Sequence, residues 1–60
     1  MNAKDLKRKL EKAGFVLRRT HGSHMIFTKK GFKQIIVQNH GGRDIPTGTV
    51  HQILKDAGLK

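Results

Sequence analysis

Apolar residues in this chain follow two rhythms, and the change between them divides it. Ala3, Leu6, Leu10 and Ala13 recur at three- and four-residue spacing, with Lys4, Lys7, Arg8, Glu11 and Lys12 on or near the other side. That pattern predicts an amphipathic helix. Asn2 is placed to cap its start, with Asp5 three positions on in the manner of a capping box. Gly14 suits the left-handed position just past a helix end at Ala13, where Phe15 would meet Leu10 in a Schellman motif. Val50, Ile53, Leu54 and Ala57 repeat the stripe near the C-terminus, and Gly58 and Leu59 repeat the ending against Leu54. This second helix is expected to start near Pro46 or Thr47, since proline is tolerated in a first turn and threonine is a good cap.

Between the helices the period falls to two. Phe15 to Thr20 is β-rich, His21-Gly22-Ser23 reads as a turn, and His24 to Thr28 alternates. Lys29-Lys30-Gly31 reads as a second turn and Lys33 to Gln38 as a third strand. Strands joined by such short turns pair as an antiparallel meander. Alternation puts His24, Ile26 and Thr28 on one side of the second strand and Met25 and Phe27 on the other, without saying which side meets the helices. A three-stranded sheet cannot bury an apolar face alone, and the two helices are what is available to cover it. The expectation is an α+β fold, helix-strand-strand-strand-helix, in one domain spanning residues 1–60. Its antiparallel sheet is covered by both helices on one face and open to solvent on the other.

Composition sharpens the picture. The chain has 60 residues and no cysteine, so disulfides, thiolate metal sites and thiol nucleophiles are excluded. A domain of this size buries only about 60% of the surface its unfolded chain exposes, so its stability is modest. No apolar run exceeds three residues, against the roughly 18 that a membrane span needs. With no signal-peptide pattern, the expectation is a small soluble cytoplasmic protein with no membrane partner. Thirteen lysines and arginines stand against four acidic residues, a formal charge of +9. The excess is not uniform: no acidic residue lies between Lys12 and Arg43, while Arg18, Arg19, Lys29, Lys30 and Lys33 do. Charge of this size and placement points to a polyanion, most simply nucleic acid.

The candidate chemistry rests on histidine, the side chain whose unperturbed pKa lies near neutrality. His24 opens the second strand behind Gly22-Ser23 and is flanked by the basic residues just named. In such a field it is placed to move protons in RNA cleavage, where a 2′-hydroxyl loses a proton and a 5′-oxygen gains one. A single histidine on a short strand also has a purely structural reading. His21 lies in the expected turn, within reach of a phosphate or simply solvated, and His40 sits before Gly41-Gly42 on a loop. His51 is expected on the helix surface. No histidine pair has the spacing of a zinc helix and no carboxylate cluster suits a hard cation, so no metal or other cofactor is expected. Gly41-Gly42 lacks the ending of a P-loop and reads as a turn. Gly48, at a helix start, either eases entry or lets backbone N–H groups approach a phosphate. Phe15 and Phe27 read as core, leaving Phe32 as the one exposed ring.

Gly22-Ser23-His24-Met25-Ile26-Phe27, preceded by the Ala13-Gly14-Phe15 helix exit, is followed by Ile45-Pro46-Thr47-Gly48-Thr49 and then by Ile53-Leu54-Lys55-Asp56-Ala57-Gly58-Leu59. These pieces, in this order over nearly the whole chain, resemble the HicA toxins of HicBA toxin–antitoxin systems. The resemblance implies a fold like that of double-stranded-RNA-binding domains and the activity of a metal-independent mRNA interferase, a toxin that inhibits translation and growth. It implies that His24 is catalytic and that a HicB antitoxin neutralises the toxin. Met25 stands where many members carry a second histidine, and Gln38-Asn39-His40 keeps a histidine without the usual proline. The expected RNA-binding surface comprises Arg18, Arg19, Lys29, Lys30 and Lys33 with Gly22 and Ser23 of the turn. A non-catalytic double-stranded-RNA-binding module is the alternative, since fold and charge alone bind duplex RNA by shape. The second proton-transfer group is open among His21, a lysine and water.

Overall fold

In a computed structural model that describes residues 1–39 and 42–60, helix α1 runs Ala3–Lys12. The Asn2 side chain accepts a hydrogen bond from the Asp5 N–H at 2.8 Å, satisfying a backbone donor that the helix cannot. At the other end the Phe15 N–H reaches the Leu10 carbonyl and the Gly14 N–H that of Glu11, with Gly14 at φ +99°. This is the Schellman pattern expected from Gly14. Helix α2 runs Thr47–Asp56 and ends the same way, Leu59 donating to Leu54 and Gly58 to Lys55. Its start falls at Thr47 as expected, but Pro46 occupies the cap position and no side chain caps the first turn, so Thr47 begins the helix without capping it.

Strands β1 (Val16–His21), β2 (His24–Thr28) and β3 (Ile35–Gln38) form one antiparallel sheet in the order β1-β2-β3. Three strand boundaries differ from the sequence reading, the first being that β1 begins at Val16 rather than Phe15. His21 belongs to β1, because Gly22-Ser23 alone makes the turn. β3 begins at Ile35, two residues late, because Lys33 instead pairs with Asp56 of α2 at 3.4 Å. The core lies between the sheet and both helices: Leu6 and Leu10 of α1, Val50, Ile53 and Leu54 of α2, and Phe15, Phe27, Ile35 and Val37 are all buried in one cluster. Ile45 joins them, held by a bridge between Asn2 and Asp44 and by its N–H donating to the Met1 carbonyl at 2.8 Å. His40 and Gly41, and with them the expected glycine turn, lie outside the described residues.

Lys29 unites the far end of the sheet with the helix ends. Its ammonium donates to the Ala13 carbonyl at 2.6 Å and sits 4.7 Å from the Phe32 ring centroid and 5.6 Å from that of Phe15. The two rings meet edge to face at 5.5 Å. Phe32 is exposed as expected, and the face of its ring belongs to this cluster.

Candidate nucleic-acid interface

Directly opposed residues of antiparallel strands share a face, so the register sorts the sheet into rows. Leu17–Phe27–Ile35 and Thr20–Met25–Val37 are on the helix side. Arg19–Ile26–Ile36, His21–His24–Gln38 and the pair Val16–Thr28 are on the other. The question that alternation left open is thereby answered: Phe27 is fully buried toward the helices, and His24 faces away from them. Ile26 is buried yet stands outside the core cluster, flanked on the bare face by Arg19 and Ile36. Ile36, the middle of the run Ile35-Ile36-Val37, is 50% exposed.

Two local devices put His21 beside His24 while leaving Leu17 on the helix side. Leu17 and His21 are four residues apart, which in a regular strand puts them on the same face. The β1–β2 register shifts between Leu17 and Arg19, leaving Arg18 as an extra residue, so everything from Arg19 onward is turned over. The hairpin then closes in two residues, with Gly22 at φ +61° and Ser23 in ordinary negative-φ space. A positive φ at the first central position only is the signature of a type II′ turn, which demands glycine there. The Ser23 carbonyl accepts from the Asn39 N–H at 2.7 Å, fastening the hairpin tip to the end of β3.

Arg19, His21, His24, Ile26 and Ile36 line one shallow groove on this face. His24 also borders a second, formed with Ile36, Gln38, Ile45, Pro46, Thr49 and Ile53 along the outer edge of β3 and the first turn of α2. It thus stands where the two grooves meet. Neither groove is lined by a carboxylate. Asp5 and Glu11 are on α1, Asp44 lies 4.0 Å from the terminal amine, and Asp56 is held by Lys33 and Gln52. The bare face is therefore cationic without local compensation.

The residues expected to contact RNA separate into two groups. Arg19, Gly22 and Ser23 are with His24, and Arg18 is exposed at the bulge beside Arg19. Lys30 lies beyond the opposite end of β2, about 20 Å along the strand at roughly 3.3 Å per residue. Lys29 is engaged with the end of α1, and Lys33 with Asp56. His51 is exposed on α2, away from both grooves, and Gly48 lies in the first turn of that helix beside Thr49. Among the described residues no three histidine or carboxylate side chains converge into a metal-ligand set. Sequence reasoning did not place Ile36, Gln38, Pro46 and Thr49 at the site. The usable signal was Gly22-Ser23 as a two-residue hairpin, which fixes His21 opposite His24 and gives the face of β1.

Fold and face together define a class: small basic α+β domains with both helices on one side of a three-stranded sheet and histidine and arginine on the bare side. Comparison with known families narrows it, because the family model for the HicA toxin of bacterial toxin–antitoxin systems matches residues 3–59. The chain belongs to the HicA toxin family. Among curated proteins no sequence match is found. No helix among the described residues is long and apolar enough to cross a membrane.

Proposed function

We propose that this protein is an mRNA interferase, an endoribonuclease that docks RNA on the bare sheet face and cleaves it with His24. The observation that carries this reading is the position of His24, exposed beside Arg19 on a face with no carboxylate. A 2′-hydroxyl attacking the adjacent phosphorus must lose its proton while the departing 5′-oxygen gains one, and an imidazole within about 2.6–3.2 Å of either oxygen can serve. Arg19 and the neighbouring Arg18 neutralise the phosphate and stabilise charge that builds on its equatorial oxygens. The products of that attack are a 2′,3′-cyclic phosphate and a 5′-hydroxyl. No step requires a metal.

A HicB-type antitoxin would neutralise the toxin by covering the same face. The apolar pair Ile26 and Ile36 amid basic side chains suits a partner that offers apolar contact and carboxylates. The test is incubation of purified protein with a defined mRNA in EDTA, wild type beside His24→Ala, with fragment ends sequenced and RNA affinity measured in parallel. The expected outcome is cleavage by wild type alone and similar affinity for both. An alanine variant that still cut RNA would defeat the assignment of His24. Binding without cleavage by either protein would identify the domain as a double-stranded-RNA-binding module.

A further inference from the structure

A single imidazole cannot at one moment accept a proton from the attacking oxygen and donate one to the leaving oxygen. Resting on the endoribonuclease reading, we infer that His21 is the second proton-transfer group and that His21 and His24 act as a base–acid pair across the β1–β2 hairpin.

Three observations support the pairing. His21 and His24 are register partners, which sets their Cβ atoms about 4.5–5.5 Å apart on the same face. They line one groove with Arg19. The two-residue turn with its positive φ at Gly22 fixes this pairing, and the extra residue Arg18 lets Leu17 keep the helix side of the same strand. The groups facing the pair are Arg19 from β1 and the neutral amide of Gln38 from β3, with Thr49 across the second groove; no carboxylate is among them.

The other candidates fail on position or chemistry. A guanidinium stays protonated, so Arg18 and Arg19 hold charge but do not exchange protons. Lys29 is spent on the Ala13 carbonyl and Lys30 is at the opposite end of β2. His51 borders neither groove.

The proton balance closes without a co-reactant. One imidazole, neutral, takes the 2′-hydroxyl proton as the 2′-oxygen bonds to phosphorus. The other, protonated, gives its proton to the 5′-oxygen as the P–O5′ bond breaks. The two rings end with exchanged protonation states, and solvent exchange or hydrolysis of the cyclic phosphate by water restores them.

The experiment compares wild type, His21→Ala, His21→Gln and His24→Ala in EDTA on an RNA bearing one mapped cut site, as cleavage rate against pH with RNA affinity measured separately. Wild type should give a bell-shaped profile. Both His21 variants should lose about 10²–10⁴-fold in rate, keep RNA affinity within about twofold, and lose one limb of the bell. A His21 variant that cut RNA within about threefold of wild type, or that slowed with both limbs intact, would overturn the inference while an inactive His24→Ala left the parent reading standing. Full activity in His24→Ala would remove both. Because His21 is exposed, neither substitution threatens the fold, and circular dichroism confirms it.

Discussion

Lys29 offers the sharpest separation of a charge that holds the fold from one that meets a ligand. Lys29→Met keeps most of the apolar stem but removes the ammonium from the Ala13 carbonyl and from the two phenylalanine rings. A hydrogen bond to a charged group contributes about 1.5–3 kcal/mol. A cation over an aromatic face adds about 0.5–1 kcal/mol, and a cation at a helix C-terminus roughly 0.3–1 kcal/mol. These describe one ammonium from three sides and do not sum, so the expected loss is about 2–3 kcal/mol. Against a total stability of about 3–9 kcal/mol for a domain of this length, that is a large fraction. At roughly 4–8 °C per kcal/mol for so small a domain, the midpoint falls by roughly 8–24 °C in thermal unfolding followed by circular dichroism. Lys30→Met, exposed in the same turn, is the control and should stay within about 0.5 kcal/mol of wild type. A second readout is the slope of RNA affinity against salt, which drops by about 0.7–0.9 per lost phosphate contact. It should be unchanged in Lys29→Met and reduced in Arg19→Met. The reasoning is refuted if Lys29→Met melts with Lys30→Met and wild type while losing salt slope.

Four further outcomes follow from single positions. Asn2→Ala removes the acceptor for the Asp5 N–H and should cost about 0.5–2 kcal/mol in denaturant unfolding. In Gly58→Ala the new Cβ would sit 3.2 Å from the Phe32 ring at φ +76°. That variant should be the more destabilised of two glycine replacements, by more than the roughly 1–2 kcal/mol of backbone strain alone, again in denaturant unfolding. Gly22→Ala meets no neighbour within 4 Å but keeps φ +61°, so it should show only that strain in stability yet lower the cleavage rate by displacing the histidine pair. Deleting Arg18 removes the extra residue and leaves Leu17 and Arg19 paired to the same partners, so the variant should fold with a near-wild-type melting profile and keep cleavage; a failure to fold would refute the assigned register.

Much of the fold was legible because its signals are local. Asn2, Gly14 and Gly58 each satisfy or redirect a helix end by their own chemistry, and the stripes Leu6–Leu10 and Val50–Ile53–Leu54 require only helical spacing. What failed was whatever depends on residues far apart in the chain. Ile45 carries no periodic signal, and it is buried because the N-terminus pairs back on it through Asn2 and Asp44. Lys33 reads as strand and Lys29 as a phosphate contact until the ends of α1 and α2 supply them with partners. Ile36 is exposed because the helices cover one face only, so an apolar run of three in a strand must turn its middle residue outward. At the candidate site, His24 was legible from its motif. The place of His21 follows only once Gly22-Ser23 is read as a two-residue turn, whereas the register shift at Arg18, which leaves Leu17 on the helix side, is revealed by no composition or period.

That shift also bears on how the charge is organised. An arginine pair in a regular strand would send one guanidinium to each face, and the helix-side member would have to be accommodated against a core that, among the described residues, buries no polar side chain. Making one member the extra residue of a bulge removes that conflict, for Arg19 takes the outward position opposite Ile26 while Arg18 remains exposed. The parity of Arg19 and His21 is set from the turn that pairs His21 with His24, and the bulge reconciles it with Leu17 on the helix side. A net charge of +9 on 60 residues carries appreciable self-repulsion, and a core this small has little stability in reserve. Any partner that neutralises the bare face therefore stabilises the folded state in proportion to how far its concentration exceeds its dissociation constant. Under the proposed function, RNA and an acidic protein would both do so and, drawn by the same charge, would compete for the face on which His24 lies.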